Sequence, residues 1–169
     1  MIKKSSKGQI NMSFGLIFSV ILVVIFIVFA FYAIKTFLGF ENNAKTEKFF
    51  SDFQSDVTRI WNNGKFSSET DQYAVPSGIT MVCVADLESS ARGKNSGIYE
   101  ELKAVYSGEQ NVFFYPVKLD TTYSRHINYL DVQSIVAEEN PFCIKTNSGK
   151  VSFVLKKESS GSPLVSIGN

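Results

Sequence analysis

His126 is the only histidine in the 169-residue chain, and Cys83 and Cys143 are its only cysteines. A Ser-His-acid triad needs three groups brought together around a nucleophile, and a structural zinc needs four ligands in a tetrahedral array. The run Ser124-Arg-His-Ile-Asn128 has no ligand spacing around its histidine, and the two cysteines are 60 residues apart. Glu100-Glu101 and Glu138-Glu139 are adjacent carboxylates. Neighbouring side chains point in different directions on a helix or a strand, so neither pair forms a two-carboxylate site by itself. Gly93, Gly97 and Gly108 fall in loop-like stretches without a phosphate-binding pattern. These residue types, at these spacings, predict no catalytic group, metal or cofactor. The chain reads as something other than an enzyme.

What the cysteines can do is pair. Each lies in an apolar, strand-like setting, Ile79-Thr-Met-Val-Cys-Val84 and Pro141-Phe-Cys-Ile144. With no CxxC and no histidine cluster nearby, the spacing predicts a Cys83–Cys143 disulfide, the alternative being two separate buried thiols. Such a bond would place this part of the chain in an oxidising exterior.

The elements that must position these residues divide sharply. The composition is 44% hydrophobic and 20% charged with a net charge of +1, yet no Asp, Glu, Lys, Arg or His occurs from Gly8 to Ile34. All 16 acidic residues follow that run, as do 14 of the 17 basic ones, leaving a net −2 from Lys35 onward. A nucleic-acid binder would need a basic face, and a disordered tail would hold fewer apolar residues. Residues 14–34 are apolar apart from Ser19 and Tyr32. At about 1.5 Å per residue they span roughly 30 Å, the hydrocarbon thickness of a bilayer. The run is too long for a cleaved secretory signal, and Ala30 and Ala33 have the wrong spacing for its cleavage site. A retained transmembrane helix is the expectation. Lys3, Lys4 and Lys7 precede it while Lys35, Lys45 and Lys48 follow, and the denser front cluster favours an N-terminus inside.

Beyond the membrane run, Ala44, Phe49, Phe50, Phe53, Val57, Ile60 and Trp61 recur at spacings of three and four, the pattern of a helix with one apolar face. Asn62-Asn63-Gly64 supplies the residues expected at its end. Gly39 is the weakest helical position and the expected bend. The spacing therefore predicts one long helix over residues 9–63, half in lipid and half packed on something. From Asp71 the texture changes to short strand-like runs near 79–85, 111–117, 142–146, 151–156 and 164–167. Asn147-Ser-Gly-Lys150 reads as a hairpin loop between two of them. Residues 98–106 read as a short helix with Ser96 as its cap, and 89–96 and 121–124 as loops. The fold class expected is α+β, with a small antiparallel β-sheet head over residues 71–169 laid on the apolar face of the long helix.

The most specific local signal is Lys3-Lys-Ser-Ser-Lys7-Gly8-Gln9-Ile10-Asn-Met-Ser13-Phe14, set directly before the apolar helix. It resembles the class III signal sequences of archaeal type IV pilin-like proteins. In those, a basic leader ends in a small residue such as glycine, and glutamine begins the mature chain ahead of an apolar helix. The resemblance implies a leader over residues 1–8 and cleavage between Gly8 and Gln9 by a membrane prepilin-type peptidase, which leaves the helix on the mature protein. Many members carry a glutamate at the fifth mature position; here that position is Ser13, which lacks the charge that would pair with a neighbouring subunit's terminal amine in the membrane.

The resemblance implies a structural subunit of a cell-surface filament or a minor pilin, serving attachment or appendage assembly. Its expected partners are membrane lipid, the peptidase, and copies of itself or other pilins, with no nucleic acid. The alternative from a different class is a monomeric, single-pass exterior domain that binds a partner in the cell envelope.

Overall fold

One helix, α1 (Phe14–Asn62), carries both the apolar run and the amphipathic stretch, passing through Gly39 without a break in secondary structure. The structure is a computed structural model that describes residues 14–63, 67–119, 121–157 and 163–168. The leader, with Gly8, Gln9 and Ser13, lies outside the described residues. By its internal contacts the chain divides into two units, Met1–Phe40 and Glu41–Asn169.

In the described part of the first unit, apolar side chains stand exposed all round the helix, from Phe14 to Phe40. Its serine and threonine hydroxyls bond inward to the helix's own backbone. Ser19 Oγ donates to the Gly15 carbonyl at 2.8 Å and Thr36 Oγ1 to the Tyr32 carbonyl at 3.0 Å. In hydrocarbon such groups have no water to turn to, and this back-bonding satisfies them.

The second unit begins at Glu41, where the same helix becomes one-sided. Thr46, Phe49, Phe50, Phe53, Val57 and Ile60 are buried, while Lys48 pairs with Asp52 on the solvent face at 2.8 Å. The end of α1 is closed by the Asn63 N–H, which reaches the carbonyls of Arg59 and Ile60, both at 3.2 Å. That is the stop expected from the asparagines.

Seven strands follow: β1 (Ser67–Ala74), β2 (Met81–Val84), β3 (Val112–Tyr115), β4 (Ser124–Arg125), β5 (Phe142–Lys145), β6 (Lys150–Lys157) and β7 (Val165–Gly168). They form two antiparallel sheets where one was expected, a three-stranded sheet ordered β1-β6-β7 and a four-stranded sheet ordered β4-β3-β2-β5. The α+β class holds: the long helix packs on small antiparallel sheets.

The two sheets solve different burial problems. In the three-stranded sheet, β6 turns Val151, Phe153 and Leu155 into the core and Lys150 and Ser152 to solvent, the alternation of a sheet with one wet face. In the four-stranded sheet, β2 and β3 are buried on both sides. Val82, Val84, Val112 and Phe114 face the core built on α1. Cys83 and Phe113 face a second cluster with Leu102 and Tyr106 under α2 (Ser96–Val105). This is why both strands read as continuous apolar runs. At the centre, Phe49 meets Phe114 at 4.8 Å and Phe50 at 5.2 Å between ring centroids, and Phe53 meets Phe153 at 5.0 Å. These are edge-on or tilted contacts of the kind aromatic rings prefer.

Several expectations are corrected. The Asn147–Lys150 turn is tight, with Ser148 at φ 51° and Gly149 at φ 73°, the double positive φ of a hairpin turn. Yet only the isolated bridge Asn147↔Lys150 closes it. The strands on either side part into different sheets, because β6 takes β1 over eight residue pairs while β5 takes β2. Strand β1 begins four residues before the expected start of the head, its polar sequence Ser-Ser-Glu-Thr-Asp-Gln-Tyr-Ala recruited by its partner rather than by its own pattern. Ser96 is the first residue of α2 and not its cap; Asn95 holds that position, its side chain turned to the Pro141 carbonyl at 3.4 Å. The stretch expected as a loop over 121–124 contains a 3-10 turn, Thr121–Tyr123, and the start of β4. A one-turn helix, α3 (Val132–Ile135), is capped by the Asp131 carboxylate, which accepts from the Ser134 N–H.

Candidate functional site

The largest chemical anomaly on the molecule is the surface of residues 14–40. Side chains that normally fill a core stand in the open: Phe26 is 64% and Phe29 67% exposed. The helix is long and apolar enough to cross a membrane, and none of its most apolar window is buried by the protein. A core helix would hide such a surface and a soluble surface helix would carry a polar face. The chain has the makings of a single-pass membrane anchor.

Cys83 and Cys143 are partners in register across β2 and β5, and their sulfurs are bonded. The bond joins an interior strand to the edge strand β5 across a sequence separation of 60.

The other singled-out residues are dispersed. His126 Nδ1 lies within hydrogen-bond distance of the Glu109 carbonyl oxygen, beside a shallow cleft of about 510 Å³ shared with Gln110, Ser124 and Arg125. Its contact is a backbone carbonyl, not a carboxylate that would orient it as a general base. Glu101 accepts from the Tyr115 hydroxyl at 3.3 Å and Glu139 pairs with Lys94 at 3.1 Å. Among the described residues, no group of three or more His, Cys, Asp or Glu is placed to hold a metal ion. Gly93 and Gly108 adopt positive φ in their loops.

Three arrangements had no sequence signal. On the flank of α1, Arg59 sits among Asp56, Glu69 and Asp71, bonding Glu69 and Asp56 and lying 3.6 Å from Asp71 Oδ2. Its bonds to Glu69 and then Asp56 raise its already high pKa further. Burial, then the charges of Asp56 and Glu69, push the Asp71 carboxyl above the ordinary range, opposed by Arg59. Tyr73 donates to Asp56 at 2.8 Å, and burial with that bond lifts its phenol far above its usual value. Asn140, fully buried, is a hub: its Nδ2 donates to the Asp86 and Ser90 carbonyls and to Ser89 Oγ, and its Oδ1 accepts from the Asp86 N–H. Tyr129 stacks on Trp61 at 3.9 Å with planes 10° apart, at φ 66°, a left-handed conformation rare for a bulky residue. The Val165 N–H, donating to its carbonyl at 2.8 Å, pins it there. Apart from the Asp56–Arg59 pair, three residues apart on α1, these contacts join residues from different elements, which no local pattern announces.

Compared with known proteins, the chain matches no family model, no curated protein and no solved structure.

Proposed function

We propose that this chain is a pilin-like, single-pass protein of the cell surface, with its N-terminus in the cytoplasm and its disulfide-closed head outside. The observation that carries this reading is the change within α1 at Glu41. One helix has apolar side chains exposed all round on one side of that residue and a single face buried under a β-rich head on the other. That layout suits a subunit held in lipid until its helix packs with those of its neighbours. Among apolar helices such association comes from van der Waals packing of Phe, Ile and Val rather than from a hydrophobic force, lipid being equally apolar. The Lys-rich leader with Gly8-Gln9, and the Cys83–Cys143 bond as the mark of an oxidising exterior, support the same orientation. The function is structural, in attachment or in assembly of a surface appendage.

The N-terminal mass of the membrane-extracted protein tests it. A mature chain beginning at Gln9, with processing blocked by Gly8→Leu, is the expected result. A retained Met1 overturns it and leaves the monomeric, anchored exterior domain that binds a cell-envelope partner. Ser13, in place of the glutamate usual in such helices, favours that second reading. Electron microscopy of surface filaments labelled against this chain separates a filament subunit from a solitary anchor.

A further inference from the structure

Three of the four sheet edges are short or closed. Strand β4 has two residues, and β5 has four, the last of them Lys145. At β7 the Val165 N–H donates to the Tyr129 carbonyl and the Val165 carbonyl accepts from the Asp131 N–H. Strand β1 is different. It runs for eight residues as an outer strand of the three-stranded sheet and pairs with β6 without a break in register. Its sequence, Ser-Ser-Glu-Thr-Asp-Gln-Tyr-Ala, holds no proline and no lysine, two residues that commonly blunt an open edge.

The register fixes which backbone groups are open. Bonded and non-bonded pairs alternate along an antiparallel ladder. The Val75 N–H donates to the Gly149 carbonyl at 2.9 Å, one step beyond the Ala74–Lys150 pair. Tyr73, Asp71 and Glu69 therefore turn their N–H and carbonyl groups toward β6, while Ser68, Thr70, Gln72 and Ala74 turn theirs to the open edge. All four of these residues are exposed, and among the described residues no further strand lies beside them.

Side chains alternate in the same way. Tyr73 is buried in the core, which puts Asp71 and Glu69 on the α1 side of the strand. There Arg59 bonds Glu69 and Asp56 and lies 3.6 Å from Asp71. Three carboxylates share one guanidinium along this edge. The other side of β1 shows Ser68, Thr70, Gln72 and Ala74, all uncharged, with Lys156 and Lys150 one strand further in, opposite Ser68 and Ala74.

We propose that β1 is a docking edge for an extended segment of another protein that carries lysine or arginine at alternate positions. The segment adds as a fourth strand. The open N–H and carbonyl groups of Ser68, Thr70, Gln72 and Ala74 hold its backbone, and its basic side chains lie beside Glu69 and Asp71. The same acids disfavour a second copy. In the antiparallel registers nearest full overlap, β1 against β1 sets Asp71 opposite Glu69 or opposite itself, and like charges directly opposite are destabilising. The edge lies wholly within Glu41–Asn169 and does not depend on how the apolar helix is held.

The test uses the full chain in detergent and the labelled peptide Thr-Lys-Thr-Lys-Thr-Lys-Thr. Its controls are the peptide with glutamate at each lysine, and two lysine peptides N-methylated at alternate amides in opposite phases. Fluorescence anisotropy reads affinity and amide hydrogen exchange reads the site. The lysine peptide should bind about tenfold tighter than the glutamate peptide and slow exchange at Ser68, Thr70, Gln72 and Ala74. N-methylation should abolish binding in one phase and spare it in the other. Thr70→Pro removes an N–H that faces the open edge and leaves the ladder to β6 intact, so binding should be lost with the urea transition of the head retained. Glu69→Gln should lower the affinity of the lysine peptide about threefold. No binding by either peptide, equal binding of the lysine and glutamate peptides, or N-methylated forms that bind alike overturns the proposal. A dimer of the full chain that Thr70→Pro dissolves overturns the basic partner in favour of a second copy.

Discussion

Glu47 and Arg125, 78 residues apart, close a two-pronged ion pair, Nη2 to Oε1 at 2.8 Å and Nη1 to Oε2 at 3.1 Å, with the guanidinium 5.1 Å from the Phe50 ring centroid. The pair ties the helix to edge strand β4. Both side chains remain well exposed, and exposed pairs are worth about 0.2–1 kcal/mol and are screened by salt. Glu47→Gln should therefore cost under about 1 kcal/mol, less at high ionic strength. Arg125→Ala should cost more, because it also uncovers Phe50. Urea unfolding at low and high salt measures both.

Two phenylalanines on α1 should respond differently to the same change. Phe53 is fully buried against Phe49, Tyr73 and Phe153. Phe53→Ala should destabilise the head by about 3–5 kcal/mol, read as a lowered urea midpoint in detergent. Phe26→Ala, at a site the protein does not bury, should leave that midpoint unchanged.

Removing the disulfide should be the costliest change outside the aromatic core. In the chain-entropy model a loop of this length is worth roughly 4 kcal/mol, and the sequence separation here is 60. Reduction, or Cys83→Ala/Cys143→Ala, should lower the urea midpoint accordingly. Mass after alkylation should show no labelled thiol in the unreduced protein and two after reduction.

Asp86 and Asp71 should give opposite pH signatures. Burial raises the Asp86 pKa, but bonds from the Glu88 N–H, Gln133 and Ser89 outweigh it and hold the carboxyl below its ordinary value. Its contribution is present above the unfolded pKa of about 4 and is lost as pH falls through the lower folded value. Asp86→Asn should cost about 1 kcal/mol at pH 7, with the gap to the unaltered protein closing in acid. Asp71 is raised in the fold, so its stabilisation is present below about pH 4 and is lost as pH rises through the raised folded value. Asp71→Asn should be neutral or stabilising at pH 7, and that advantage should vanish below about pH 4. Stability curves from pH 3 to 8 decide both.

Much of the fold was legible because periodicity and burial coincide. Phe49, Phe50, Phe53, Val57 and Ile60 announced the buried face of α1, and the alternation around Phe153 announced β6. The runs at β2, β3, β5 and β7 fell within a residue or two of their observed limits. Strand β1 escaped because a polar strand carries no apolar alternation, and β4 because two residues are too few for a period. Neither the ion cluster at Arg59, the Asn140 hub nor the Trp61–Tyr129 stack could be read locally, since each joins residues brought together only by folding.

The sequence by itself determined an uncharged apolar run long enough for a bilayer, a helix that turns one-sided beyond it, and two cysteines suited to each other. These are properties of composition and spacing along one element, which neighbours in space do not alter. Only the tertiary structure decided that the strands divide into two sheets, and that a tight turn at Ser148 and Gly149 parts its strands instead of pairing them. Strand partners are chosen by which long-range pairings bury the most apolar surface while bonding every backbone group, a comparison that no single stretch of sequence contains.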